Sequence, residues 1–350
     1  MRFPFLRSFI SPGRPRINLA LQGGGAHGAF TWGVLDALLE DGRLDFEGIS
    51  GTSAGAMNAI CMAQGMMTGG PEGAREALAR FWHAVAASSP FSGAGNASGE
   101  PPKLAPALKL MLQWTDYLSP EQLNPLDINP LRDILNEQID FAQLRRENPL
   151  KLFIAATHAN SGKLHIFRNK ELSVDCVLAS ACLPTIHHTI EIAGEPYWDG
   201  GYSANPAVFP LAYQCDTPDI LLILLTPLRY TETPVSAQDI RQRLLELSFN
   251  STFLREMRMF AHLREEASTS WLSRWLPVGR LERRIKHLRF HAISAEALLG
   301  ELPAGSKLTV NLPFFERLRD SGRGHAQRWL DEHRSSVGER PTLELGKLFY

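Results

Sequence analysis

Phe46-Glu47-Gly48-Ile49-Ser50-Gly51-Thr52-Ser53-Ala54-Gly55 is an extended run that breaks at a glycine-flanked serine and continues into an alanine- and methionine-rich helix over 54–66. In a strand-to-helix turn this sharp, the serine backbone is strained and its neighbours two positions away lie against adjacent chain. Gly51 and Gly55 therefore remove side chains that would clash. The Ser53 hydroxyl then stands clear of the sheet as a candidate nucleophile. The helix opening at Ala54 points its first backbone amides and the positive end of its dipole to where charge develops on an attacked carbonyl. G-x-S-x-G alone also occurs in ordinary turns, so the strand before it and the helix after it carry the reading.

Working outward, Arg16-Ile17-Asn18-Leu19-Ala20-Leu21 reads as a strand. Gln22-Gly23-Gly24-Gly25-Ala26-His27-Gly28 follows as a glycine loop opening a helix over 29–40. Consecutive glycines after a strand let backbone amides converge on an anionic oxygen, which suits a phosphate cradle or an oxyanion hole. Gly23, Gly25 and Gly28 satisfy G-x-G-x-x-G, and Asp45 or Glu47 lies near the distance of a ribose-binding acid, so a dinucleotide-binding oxidoreductase is a rival reading. Against it, the second strand runs on through Ile49 and ends at the Ser53 turn.

The 350 residues suffice for a sizeable core, and 44% hydrophobic with 21% charged is a globular composition. Lys plus Arg total 36 against 37 for Asp plus Glu, so no global field favours nucleic acid. Cys61, Cys176, Cys182 and Cys215 form no C-x-x-C pair and are expected as reduced, buried thiols. Arg7 and the prolines interrupt any signal-peptide core near the start, and no apolar run is long enough to span a bilayer. The expected location is cytoplasmic or at a membrane surface.

Downstream, 69–102 changes character, a helical piece over 75–86 giving way to an aperiodic Gly/Ser stretch, and 104–118 is apolar enough for a core helix or for a lid over an acyl site. Paired strands are expected over 152–157 and 164–167, and a short helix over 174–182. A hairpin over 189–198 delivers Asp199-Gly200-Gly201 at a strand end. Residues 219–226 read as a buried central strand, where the sheet is expected to end. Helices over 238–263 and 271–285, a strand over 288–293, and two helices over 313–320 and 325–333 complete the chain.

A serine nucleophile needs a base. A Ser-Asp-His order would offer His262, His287, His291 or His325, and His187 and His188 precede the hairpin, but none sits in a loop motif and none has metal-ligand spacing. Asp199 is either a turn aspartate or, if desolvated, a base in its own right. Gly200 and Gly201 would then allow close approach to the serine.

Gly23 to Gly28, Gly51-Thr52-Ser53-Ala54-Gly55 and Asp199-Gly200-Gly201, in that order, resemble the three motifs of patatin-like phospholipases. The resemblance runs over about 17–210, and the tail over 306–330 is similar to a bacterial branch of the family. It implies a three-layer α/β/α sandwich with a mainly parallel or mixed sheet and a helical C-terminal extension. It also implies a Ser53-Asp199 dyad without histidine or cofactor, and an oxyanion hole at Gly23, Gly24, Gly25 and Ala26, beside the Ala54 amide. His27 stands where many members carry arginine, and Gly201 where many have alanine, a change expected to be harmless.

The expected organisation is a leader over 1–15, a catalytic domain over 16–230 with an insertion over 87–120, and a helical region over 231–350. The expected partner is a lipid or membrane-surface acyl ester, met through 1–10, 104–118 or the aromatic and basic tract 271–289. A non-catalytic lipid-binding or scaffold protein would keep this fold and leave Ser53 idle.

Overall fold

The computed structural model describes residues 13–88, 118–230, 232–269, 280–300, 302 and 304–350. The first half comprises β1 (Arg16–Leu21), α1 (Gly28–Asp41), β2 (Asp45–Gly51), α2 (Ala54–Ala87), α3 (Pro130–Gln138), α4 (Phe141–Glu147), β3 (Lys151–His158) and β4 (Leu164–Arg168). The second half adds α5 (Val174–Ser180), β5 (Ile190–Ile192), β6 (Glu195–Asp199), α6 (Phe209–Gln214), β7 (Asp219–Leu224), α7 (Ala237–Thr269), α8 (Arg280–His287), β8 (Arg289–Ser294), α9 (Leu312–His333) and α10 (Leu345–Phe349). The strands form one mixed sheet of eight, in order β5-β6-β3-β2-β1-β7-β8 with β4 also on β3. The stretch from β3 to β8 is parallel, and β4, β5 and β6 add antiparallel pairs.

Period-two alternation sends each strand's side chains into two separate cores. Ile17, Leu19 and Leu21 of β1 and Leu221 and Ile223 of β7 pack with α1, α2 and α9 on one face. Ala20 of β1 and Ile220, Leu222 and Leu224 of β7 pack with Phe253, Met257 and Phe260 of α7 and with α6 and α10 on the other. Helices on both faces make the three-layer α/β/α sandwich, and strands buried on both sides read as continuous apolar runs, as 220–225 does. Each buried Leu or Ile contributes roughly 1.5–3 kcal/mol relative to exposure.

Two expectations change. The sheet does not end at β7, because β8 pairs with it in parallel over its full length, Asp219↔Arg289 to Leu224↔Ser294. The two helices expected over 313–333 are one helix, α9, capped by Asn311, whose Oδ1 accepts from the Phe314 amide at 3.0 Å. Gly322 does not break it, because α9 crosses α1 there: a Cβ on Gly322 would sit 2.1 Å from the Phe30 carbonyl, and one on Gly33 1.9 Å from that of Arg319. In α2 the break lies at Gly69 and Gly70, with Gly70 at φ 63° just before Pro71.

Of the expected membrane contacts, 1–10, 104–117 and 271–279 lie outside the described residues. Within 280–289, Arg284 donates to the Ala212 carbonyl and Arg289 to Asp219, so both are engaged in the fold. Among the described residues no helix is long and apolar enough to cross a membrane.

Candidate active site

The site lies at the C-terminal end of the parallel strands, where open α/β sheets present their loops. β2 stops at Gly51, and Ser53 turns the chain with φ 53° and ψ −122°, a left-handed φ that is strained for a residue with a side chain. The turn is closed by Gly55 N donating to Thr52 O at 2.8 Å and Ala56 N to Ser53 O at 2.9 Å. A Cβ on Gly55 would meet the Leu21 carbonyl at 2.3 Å, so this glycine keeps α2 tight against the end of β1. Two distant groups fix the elbow: Ser53 N donates to Ser180 Oγ at 2.9 Å, and Thr52 Oγ1 donates to Ala204 O at 2.8 Å.

The pairing of β3 brings Asp199 here. β4 occupies one edge of β3 over 153–157. The other edge is shared: β2 takes 151–154, ending with Gly51 opposite Ile154, and β6 takes 156–158, ending with Asp199 opposite Ala156. Asp199 thus follows directly where β2 leaves the sheet. Its turn from β5 uses Ala193 at φ 53° and Gly194 at φ 82°, the two left-handed positions of a tight hairpin.

Asp199 is 1% exposed. Its Oδ1 accepts from Gly201 N at 2.7 Å, whereas the buried Oδ2 makes no hydrogen bond of normal geometry. Burial pushes the carboxyl up to about 7, and the Gly201 amide and the neighbouring Ser53 hydroxyl hold it from going higher. The flanking glycines serve contacts other than the approach to serine expected from sequence. A Cβ on Gly200 would meet the Ala155 carbonyl at 2.2 Å, and one on Gly201 the Phe249 ring at 2.1 Å. Glycine at 201 leaves room for the Phe249 ring, which an alanine there would have to displace.

The glycine loop is anchored by Gln22, which is fully buried. Its Oε1 accepts from the Leu225 and Thr226 amides at 2.6 and 2.9 Å, and its Nε2 donates to Asn205 O at 3.3 Å and Asn250 Oδ1 at 3.4 Å. Gly23 N donates to Asn205 Oδ1 at 2.7 Å. The Gly23 amide is thereby committed, which changes the expected donor set. Gly24, Gly25 and Ala54 keep amides that bond no other protein group among the described residues. Gly25 has φ 58°, and a Cβ there would lie 2.3 Å from the Lys307 carbonyl. Ala26 is buried in the short 3-10 turn behind it, and Gly28 faces Ala54.

His27 is buried and pairs through Nε2 with Ser306 Oγ at 2.7 Å. Burial, aided by the Lys307 charge, drives its pKa down to about 3, so the ring is neutral at working pH.

The histidines considered as bases are engaged elsewhere. His187 Nδ1 accepts from Leu183 N at 3.2 Å, His188 Nε2 is 2.8 Å from Asn124 O, and His291 binds Asp219 at 3.1 Å. His262 packs on Tyr350, His287 holds Arg283 O and His325 holds Ser321 O. Asp45 and Glu47 begin β2, one strand length from the glycine loop, and Glu47 is saturated by Lys151 and the Asp216 and Thr217 amides. Neither is placed to meet a ribose beside the loop. Sequence reasoning missed Gln22, Ser180, Asn205 and Ser306 as supports; polar residues in apolar or glycine-rich surroundings were the available signal.

The family profile described as Patatin-like phospholipase matches residues 19–212, more than half of the chain. No curated protein matches. Among solved structures, VipD from Legionella pneumophila is 16% identical, with 92% of this chain and 68% of VipD covered and a TM-score of 0.41. Full-length ExoU of the Pseudomonas aeruginosa type III secretion system, solved with SpcU, is 16% identical, with 96% of this chain and 77% of ExoU covered and a TM-score of 0.32. The profile match spans the glycine loop, the Ser53 elbow and Asp199, and the chain belongs to the patatin-like phospholipase family.

Proposed function

We propose that this chain, at family level a lipid acyl hydrolase, cleaves fatty-acyl esters with Ser53 as nucleophile and Asp199 as base. The observation that carries the reading is the buried Asp199 carboxyl, which neighbours the Ser53 hydroxyl at a strained elbow and whose Oδ2 bonds no other donor. A carboxyl with a pKa near 7 is matched to taking a proton at neutral pH. In the first step Oγ of Ser53 bonds to the ester carbonyl carbon as its proton passes to Asp199. The Gly24, Gly25 and Ala54 amides, reinforced by the N-terminal dipole of α2, receive the oxyanion. Asp199 then returns the proton to the departing alcohol, and attack of water on the acyl-serine releases the fatty acid by the same path in reverse.

The test is labelling by a fluorophosphonate probe together with fatty-acid release from mixed phospholipid vesicles, for wild type, Ser53→Ala and Asp199→Asn. Wild type is expected to label and hydrolyse, and both variants to lose hydrolysis. An unlabelled, inactive wild type would favour a lipid-binding scaffold instead.

A further inference from the structure

α7 has two different faces. Its inner face builds one wall of the site: Phe249 lies against Gly201 and 4.6 Å from the Tyr202 ring, and Asn250 joins Gln22. Phe253, Met257 and Phe260 continue that face into the core. The opposite face follows 240, 244, 247, 251, 255 and 258, spacings of three and four that keep one side of a helix. Its first half is apolar and open, with Ile240, Leu244 and Leu247 at 42%, 58% and 47% exposure. Leu245, Met259 and Leu263 are exposed on its flank. Its second half presents the exposed Arg255 and Arg258.

Over 240–262 the charge on this face has one sign; at its far end Arg258 stands 5.8 Å over the Tyr350 ring, and Glu265 accepts from the Tyr350 hydroxyl at 3.2 Å. The two carboxylates within 240–262, Glu246 and Glu256, both turn inward. Glu246 accepts from Tyr230 Oη at 2.8 Å and lies 3.7 Å from Lys307 Nζ, and Glu256 accepts from the Val208 and Phe209 amides. An isolated exposed leucine needs no explanation, but a periodic apolar stripe running into arginines, with no outward acid between 240 and 262, is complementary to an anionic lipid surface.

We propose that the outer face of α7, from Ile240 to Arg258, docks on an anionic lipid surface and delivers acyl ester to the site on the helix's other side. This rests on the lipid hydrolase reading above. Ile240, Leu244 and Leu247 enter the acyl boundary while Arg255 and Arg258 meet lipid phosphates.

The test uses the full chain as wild type, Leu244→Ser/Leu247→Ser and Arg255→Gln/Arg258→Gln. Each is measured by sedimentation with phosphatidylcholine vesicles with and without phosphatidylglycerol, by size-exclusion chromatography, and by turnover of a soluble short-chain nitrophenyl ester. The leucine pair is expected to weaken vesicle partition about a hundredfold. The arginine pair should cost about fivefold per residue, on anionic vesicles only and less at high salt. Both variants should turn over the soluble ester as wild type does. Wild-type indifference to vesicles, or variants that bind as well as wild type, would overturn the proposal. So would a wild-type dimer that the leucine variant dissolves, since a second copy would then cover the face. Should vesicle binding behave as expected while wild type leaves the soluble ester intact, the surface stands and the hydrolase reading falls.

Discussion

Asp199 and Asp219 are buried to the same degree, each 1% exposed, at opposite ends of one sheet, and their surroundings differ. Asp219 opens β7, where Arg289 donates through Nε and a terminal nitrogen, His291 Nε2 lies 3.1 Å away, and Gly338 N donates at 3.0 Å. Burial alone would raise its pKa, but these partners outweigh it and the carboxyl is held below its ordinary range. Asp199 closes β6 with one amide donor and an oxygen left over, so burial wins and the pKa rises to about 7. The first is a satisfied structural anchor, and the second is an unfinished hydrogen-bond site. Burial does not distinguish them, and pKa alone does not identify a base, since Glu256 is also pushed up to about 7 while it holds the amides that open α6. What separates Asp199 is a carboxyl with an unbonded oxygen that neighbours a strained serine.

The contrast breaks most sharply in activity. Asp199→Asn keeps the shape and an acceptor for Gly201 N but cannot take a proton, and kcat is expected to fall by about 10²–10⁴, with circular dichroism unchanged. Asp219→Asn, where Arg289 would lose its charge partner, should leave fluorophosphonate labelling of the folded fraction intact. Its cost should appear in denaturant titration as a loss of roughly 3–5 kcal/mol. If Asp219→Asn abolished labelling in fully folded protein, the division between the two ends would be wrong.

Within the glycine loop, the comparison moves to single backbone positions. Gly25→Ala combines φ 58° with a Cβ 2.3 Å from the Lys307 carbonyl, so the donor is displaced and kcat should drop by about 10²–10³. Gly24, at φ 178°, lies outside the left-handed region, and its Cβ would be tight only against Leu225 Cδ1 at 3.2 Å, a side chain able to yield. Gly24→Ala should therefore be clearly milder in steady-state kinetics, and equal losses would argue against this account of the loop. Larger residues at 24 would crowd Leu225 and the carbonyl site together.

The sandwich, the Ser53 turn and the hairpin ending at Asp199 were legible because each rests on local pattern, while the pairing of Ser53 with Asp199 came only from the family resemblance. A strand-serine-helix turn and a hairpin ending in Asp199-Gly200-Gly201 are short-range signals. The supports were not legible, because they act across long separations: Gly23 to Asn205 spans 182 residues, Ser53 to Ser180 127, and His27 to Ser306 279. No periodicity announces such a contact. The same holds for β8, whose residues read as a strand but whose place beside β7 depends on pairing after a long helical excursion. The choice of base was open for a related reason: a histidine's position in sequence says nothing about which sheet end it faces, and His291 proved to belong to Asp219.

The smallest expected effect, about tenfold per pH unit, probes the two aspartates in opposite directions. With a raised folded pKa, Asp199 in the proposed role of base must ionise before it can accept the Ser53 proton, so kcat/KM should fall about tenfold for each unit below 7 and level off above it. The same shift sets stability. A carboxyl whose folded pKa lies above its unfolded value stabilises fully below the unfolded value near 3.8, and that contribution is lost as pH rises through about 7. Ionised Asp199 at pH 8 is therefore a destabilising group, and Asp199→Asn should melt higher than wild type at pH 8, the gap closing as pH is lowered toward 4. Asp219 runs the other way: its depressed pKa gives stability present above the unfolded value and lost as pH falls through the folded one, so the gap between wild type and Asp219→Asn should shrink in acid. Glu256 titrates in the same range as Asp199, so the assignment needs Glu256→Gln as a control. That variant should keep the kinetic break near 7, and its disappearance would transfer the titration from Asp199 to the helix cap.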